Sequence, residues 1–577
     1  MPRSWVSPGV AYLTRGFLSV IFPTASSIII IQHLAFLQGF RVSPWPLSLV
    51  VLGAAPLGFA AYIFMDEISQ RRRATRLGAR LVPRVKGKLP GNLDKIVGIF
   101  MRLETEYLGQ PALDEMKELG PTLNFRFFWE DDIMTSEPQH MKAMLVTDFR
   151  ITSKFGEAVD SVLGTGVFNS DGNLRRACRL HRTMTRPFFN NDRIRHFEIF
   201  DRHATRTIAL AKERFRMDLA IDFQDLISRF TLDSASEFLF GHCTDSLSAE
   251  LPFPHNARES TNTIQKDITA AFSDAFSQAQ HAISRRIIIG STWPMTEIYT
   301  DSTARHMKVA SEFLDPIFEA ALKRHSTAAK SDANETTGNE TLVDHLVKLT
   351  SDSKIIKDET LNILLAGRDS ITSTLTSAIY LLAMHPEVLS RLREEIISNF
   401  GLNGVPTYVD IKEMKYMQAF LNETMRLFPA VPFGVRETIH DTTWTSPEPE
   451  KEPLFVPGGV MIVYAIFFMH RRTDLWGPDA LEFDPDRWLD ERLQKYLLPN
   501  PSIFLPFNAG PRICLGQKLA YNQMSFVLPS MCPPAWWAEK DGRQAIERFK
   551  PKSHVLLYAE GGMWVKMTAV DDVEVIQ

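Results

Sequence analysis

The chain has 577 residues, 45% hydrophobic and 23% charged, with a formal net charge of −4. That length holds one large catalytic domain or two to four ordinary ones, and the near-neutral balance gives no electrostatic footing for a nucleic-acid partner. Four cysteines (Cys178, Cys243, Cys514 and Cys532) without CxxC or zinc-type spacing exclude a disulfide-built secreted scaffold and fit a reducing compartment.

Two apolar stretches open the chain. The first, residues 17–37, contains Ile28-Ile29-Ile30-Ile31 and is interrupted by Pro23, Gln32 and His33. The second, residues 45–65, carries no charge. Each approaches the roughly twenty residues a helix needs to span a bilayer. For the second, a buried core helix is the competing reading. For the first, a span and an interfacial segment stand equal. Arg71-Arg72-Arg73, Arg76 and Arg80 follow. Positive flanks stay cytoplasmic, so everything after Met65 is expected in the cytosol. A cleaved signal peptide fits poorly with this length and basic flank. Residues 1–80 are therefore expected to be a membrane anchor in contact with lipid, most simply of the endoplasmic reticulum. The run Val82-Pro83 to Pro90-Gly91-Asn92 cannot continue a helix. Residues 81–92 read as a stiff hinge whose basic side chains sit near anionic headgroups.

Residues 93–577 read as one mostly α-helical domain with small β-sheets. Helical spacing covers 93–108. Strand-like runs fall at 122–128 and 143–147. A basic helical segment, 175–189, ends at Pro187; its Arg175, Arg176 and Arg179 make either a docking face for an acidic partner or a solvated face. Amphipathic helices are expected over 193–217 and 223–240, and a polar loop over 326–340.

A long helix begins near Lys357. At its middle stands Leu365-Ala366-Gly367-Arg368-Asp369-Ser370. The two small residues let something flat approach the backbone. Asp369 and Ser370 then offer an acid and a hydroxyl that can relay protons into a dry pocket. Hydroxyl bonding to the i−4 carbonyl can also open the helix locally. Alone, the run reads equally as an exposed Arg-Asp pair beside a polar-face Ser. Further on, Glu423 and Arg426 share one helix face at i, i+3. Such a pair is usually solvated. Here a Pro stop follows at Pro429, and Arg487 comes later in Phe483-Asp484-Pro485-Asp486-Arg487-Trp488. One carboxylate between two guanidiniums can be fully hydrogen-bonded when buried.

The stretch Phe507-Asn508-Ala509-Gly510-Pro511-Arg512-Ile513-Cys514-Leu515-Gly516 carries the most information. An isolated Cys514 would read as a small buried hydrophobe. In this context it reads as a thiolate ligand of haem iron. A tight loop aims backbone N–H groups at the sulfur and tunes it. Gly510 and Gly516 are expected where a Cβ would clash, Arg512 reaches towards an anionic propionate, and Phe507 shields the sulfur.

The pattern Phe-x-x-Gly-x-Arg-x-Cys-x-Gly resembles the signature of the cytochrome P-450 family, and every fixed position is present. The resemblance implies the fold of that family, haem b as cofactor and Cys514 as its axial ligand. It implies monooxygenase activity: one atom of O2 enters a C–H bond and the other leaves as water. Ala366-Gly367-Arg368-Asp369 resembles the family's oxygen-binding helix, with Ser370 where Thr is usual; Ser keeps the hydroxyl but loses the methyl that fixes its rotamer. Glu423, Arg426 and Arg487 would form the family's structural network. Arg182, His181 and Arg436 are expected at the propionates. In detail the chain resembles fungal membrane-bound alkane and fatty-acid hydroxylases, a likeness carried by Lys86 to Asn92, Thr183 to Phe189 and Thr231 to Gly241. A small apolar substrate is implied: fatty acid, alkane, terpenoid or xenobiotic. No dinucleotide fingerprint is evident, so electrons are expected from a separate NADPH–cytochrome P450 reductase. Two departures stand out. Cys178 occupies the family's usual Trp position within an altered segment, 172–180. The helix after Cys514 is expected to be cut short by Pro529 and Pro533-Pro534. The alternative from another class is a haem-binding protein without turnover: a sensor, the product of a decayed gene, or the product of a wrongly drawn gene.

Overall fold

Apolar residues at helical spacing dominate the chain, and helices carry its architecture in the computed structural model. The structure describes residues 6–40, 43–103, 105–148, 151–152, 156–169, 181–189, 198–254, 268–328, 341–401, 407–448, 450–531, 536–539, 550–553 and 555–569. The principal helices are α1 (Pro8–Leu37), α2 (Pro44–Arg76), α3 (Glu198–Arg216), α4 (Phe223–Phe240), α5 (Ile268–Ile289), α6 (Ala304–Ala328), α7 (Leu342–Leu349), α8 (Ser353–Met384), α9 (Lys415–Leu427) and α10 (Gln517–Met531).

Helix α8 is the central beam. It starts earlier than Lys357 because Asp352 caps it, accepting the N–H groups of Lys354 and Ile355. Its second half packs with α3, α4, α9 and α10 around Phe200, Phe230, Leu375, Phe420 and Phe526. Its first half packs with α5, α6 and α7 around Phe272, Leu314, Leu342 and Leu364. Burying so many large apolar side chains at roughly 1.5–3 kcal/mol each supplies the main driving force.

The sheets are small. Strands β2 (Thr122–Asn124), β3 (Asp132–Thr135), β4 (Ile151–Thr152), β6 (Phe433–Thr438) and β9 (Met461–Ala465) form one sheet in the order β2-β3-β9-β6-β4. Within it β3 and β9 run parallel, Ile133 opposite Ile462. β1 (Arg80–Leu81), β8 (Leu454–Val456) and β7 (Thr442–Trp444) make a second sheet. β10 (Trp536–Glu539), β13 (Trp564–Ala569) and β5 (Ile221–Asp222) make a third, and β11 (Pro551–Ser553) pairs with β12 (Leu557–Ala559).

Several local expectations are corrected. Residues 143–147 are not a strand; they extend the helix Pro138–Lys142 as a π turn. The strand at 122 stops at Asn124, because Arg126 and Phe128 turn the chain with φ of 47° and 49°. The helical run from Leu93 breaks after Leu103 and resumes at Gln110. Pro187 sits inside a 3-10 turn, Arg186–Phe189, instead of ending the segment. Pro529 is taken into α10, which ends at Met531. Segments 172–180, 193–197 and 329–340, with Cys178, Arg175, Arg176 and Arg179, lie outside the described residues.

Both apolar N-terminal stretches are helical. On α1 and α2, Phe22, Ile29, Leu37, Trp45, Leu57, Tyr62 and Met65 are all more than half exposed. Among the described residues, no helix is long and apolar enough to cross a membrane. α2 runs on past Met65 into the helical domain. There Glu67 accepts from Arg84 and, at 2.8 Å, from Arg126. Gln70 donates to Asp131 at 2.7 Å and accepts from Arg84 at 2.8 Å. Arg73 grips Asp441 at 2.9 and 3.0 Å. Residues 81–92 are likewise tied down. Val82 and Val85 are buried, and the N–H groups of Lys88 and Leu89 donate to Asp94 at 2.8 and 3.0 Å.

Candidate active site at the cysteine loop and the long helix

The loop leading into α10 is closed by its own backbone. The Cys514 N–H donates to the Phe507 carbonyl at 2.9 Å, and Ile513 N–H to Gly510 at 3.0 Å. Gly510 has φ 67°, and a Cβ there would lie 2.0 Å from the Leu145 carbonyl oxygen, so only glycine fits. Gly516 differs from the expectation: a Cβ would meet nothing within 4 Å. Phe507 packs beside Tyr521, the rings tilted by 43° with centroids 5.2 Å apart. The Cys514 side chain is accessible. Surrounding protein pushes its thiol up, while the Gly516 N–H and the Arg182 guanidinium act in the opposite sense.

Cationic side chains gather at this loop. Arg182 donates from Nη2 to the Ile513 carbonyl at 2.8 Å. Arg436, on β6, is buried. It lies 5.5 Å from the Tyr464 ring, whose hydroxyl accepts from Asn508 Nδ2 at 3.1 Å. Arg512 is half-buried within the loop itself. His181 is buried, and its Nδ1 meets the Glu359 carboxylate.

Helix α8 is buried from Leu361 to Leu365, then becomes partly accessible at Ala366, Gly367, Asp369 and Ser370. A Cβ on Gly367 would meet nothing within 4 Å. An open face in the middle of a core helix is room left for a ligand. The Ser370 hydroxyl donates to the Ala366 carbonyl at 2.6 Å. Asp369 Oδ1 lies 3.5 Å from Arg368 Nε. Its Oδ2 is buried without a hydrogen-bond partner among the described residues. Burial pushes the Asp369 carboxyl up, opposed by Arg368 and by Gln280. Such an acid is suited to carrying a proton.

These observations fit haem. The accessible sulfur, the open face of α8 and the guanidiniums of Arg182 and Arg436 suit a flat anionic macrocycle held through a thiolate.

The structural network is assembled as well. Arg426 closes on Glu423 in bidentate fashion at 2.8 and 2.7 Å. Its Nη1 donates to the carbonyls of His470 at 2.8 Å and Ala480 at 2.5 Å. Arg487 Nε lies 3.5 Å from Glu423 and Nη2 donates to Asp479 Oδ2 at 3.0 Å. All three members are essentially fully buried. Sequence reasoning missed two partners. Trp488 Nε1 donates to Glu423 at 3.0 Å. His470 spans from the Arg426 carbonyl, 3.1 Å, to the Leu505 N–H, 3.0 Å. Trp488 stands next to Arg487 and could have been found; His470 carries no motif.

The Cytochrome P450 family model matches residues 93–532. The chain is 32% identical to "Cytochrome P450 52-M1" of Starmerella bombicola over 506 residues, 84% of this chain and 91% of that protein. It is 35% identical to "Cytochrome P450 52E1" of Candida apicola over 409 residues, 69% and 74% of the two chains. It is 32% identical to "Cytochrome P450 monooxygenase himC" of Aspergillus japonicus over 492 residues, 83% of each. With the signature loop closed around Cys514 and the family matched over residues 93–532, this chain belongs to the cytochrome P450 family and is a haem-thiolate monooxygenase.

Proposed function

We propose that this monooxygenase hydroxylates a long apolar substrate, a fatty acid or an alkane, at a membrane surface. Cys514 would hold the haem iron through its thiolate, and Asp369 with Ser370 would relay protons. The observation that carries the reading is the open face of α8, where an acid and a hydroxyl border accessible space beside otherwise buried residues. Haem b, when bound through a thiolate, supplies the activation of dioxygen.

The protein's part is to position, dry and protonate. Arg182, Arg436 and Arg512 would neutralise the anionic groups of the cofactor. Gly510 lets the loop pass under Leu145 and brings Cys514 into place. The Ser370 hydroxyl donates to the Ala366 carbonyl one turn back, and it stands on the same open face of α8 as Asp369. Asp369 takes a proton from solvent and hands it inward through Oδ2. Glu423, Arg426 and Arg487 hold the scaffold.

The exposed apolar residues of α1 and α2 support anchoring in lipid, with residues 1–80 as the anchor and residues 93–577 as the catalytic domain on the cytosolic face of the endoplasmic reticulum. Such a site admits substrate from the bilayer and receives electrons from a membrane-bound NADPH reductase. The experiment is reconstitution in vesicles with that reductase and a panel of fatty acids, alkanes and terpenoids. Hydroxylated fatty acid or alkane carrying one atom of labelled dioxygen is the expected product. Turnover confined to terpenoids or aromatic compounds would overturn the substrate assignment.

A further inference from the structure

We propose that His181 and Glu359 form a buried positioning pair that holds Arg182 against the cysteine loop and so keeps Cys514 in ligating geometry. The inference rests on the assignment of Cys514 as haem ligand. Glu359 lies two turns into α8 and is fully buried, 0% exposed; His181 is 4% exposed. The imidazole Nδ1 meets the carboxylate, and neither Glu359 oxygen has a conventional hydrogen-bond partner among the described residues. A carboxylate in that position needs a partner, because an unpaired buried charge is among the costliest features of a core. His181 is the group placed to serve.

The next residue is Arg182. Fixing the imidazole on α8 fixes the backbone from which Arg182 departs, and its Nη2 then reaches the carbonyl of Ile513, directly before Cys514, at 2.8 Å. Residues 181–185 form a short helical turn that is braced at its other end too: His345 Nε2 meets the Met184 carbonyl at 2.9 Å, and the Thr185 hydroxyl donates to the His181 carbonyl at 2.9 Å. The pair therefore joins the helix bearing Asp369 to the loop bearing Cys514 through a single turn of chain.

The test uses the full haem-loaded chain and three variants: His181→Gln, Glu359→Gln and Arg182→Gln. Thermal midpoint, haem dissociation rate and the thiolate-type share of the reduced carbon-monoxide spectrum are recorded for each. Arg182→Gln sets the scale without touching the core. It should speed haem loss about tenfold, the low end of what partners of metal ligands are worth, and lower the thiolate share. His181→Gln should reproduce both effects, and adding it to Arg182→Gln should cost little more. Glu359→Gln keeps an acceptor for His181 and should fall between His181→Gln and the parent. A lowered midpoint with unchanged haem loss and spectrum in His181→Gln would overturn the proposal, as would an unaffected Arg182→Gln. Cys514→Ser with an unaltered spectrum would instead overturn the underlying ligand assignment.

Discussion

The Nε2 of His470 accepts the backbone N–H of Leu505 across 3.0 Å, joining the buried Arg426 network to the start of the cysteine loop. His470 is fully buried, and burial, with the Arg426 charge, holds its imidazole down to about 3. The neutral ring is required, because Nε2 must accept while Nδ1 donates.

That requirement has a pH signature. Unfolded, His470 binds a proton near pH 6.5; folded, it does so only near 3. The unfolded state therefore binds more protons in this window. The stability is complete above about pH 6.5 and falls as the pH drops towards 3, with a slope approaching about 1.4 kcal/mol per pH unit from this group. Denaturant midpoints at stepped pH should show it, and His470→Asn should flatten the slope.

Glu423→Gln should be severely destabilising. Two guanidiniums and the Trp488 N–H converge on this carboxylate. Removing its charge leaves Arg426 and Arg487 buried and undercompensated, a loss of about 3–5 kcal/mol. Chemical denaturation of the haem-loaded chain checks this. A loss below about 1 kcal/mol, on the scale of an exposed pair, would contradict it.

Asp369→Asn should slow product formation by about 10²–10⁴-fold, the usual worth of general acid catalysis, with haem content unchanged. Ser370→Thr should raise the ratio of product to NADPH consumed, because the added methyl restricts the hydroxyl rotamer. Steady-state assays read both.

Glu67→Leu should loosen the seat of α2 on the helical domain. Arg84 and Arg126 lose their shared acceptor, a change of about 1.5–3 kcal/mol. Distances between spin labels on α2 and on α8 should broaden, and cleavage by trypsin around Arg71 should quicken.

The fold class, α4 from Phe223 to Phe240 and the steric need for glycine at Gly510 were legible from period and motif. The network of Glu423, Arg426 and Arg487 was legible because its spacing forces two of its members onto one helix face. The π turn at 143–147 was not: Ala-Met-Leu-Val-Thr has strand-like side chains, and only the preceding helix imposes its form. The grip of α2 on Arg84, Arg126 and Asp441 was equally hidden, since pairings 17, 59 and 368 positions apart leave no local trace. His470 could not be singled out, because its role rests on two backbone groups and backbone has no sequence signal. Gly516 shows the converse: its place in the motif suggested a steric need that protein packing does not impose.

The most direct measurement is the reduced, carbon-monoxide-bound difference spectrum of the membrane-expressed chain beside its Cys514→Ser variant. The account predicts a thiolate-type Soret band in the parent that is abolished in the variant. A histidine-like band in the parent, or the same band in both proteins, would contradict the assignment of Cys514 as the haem ligand.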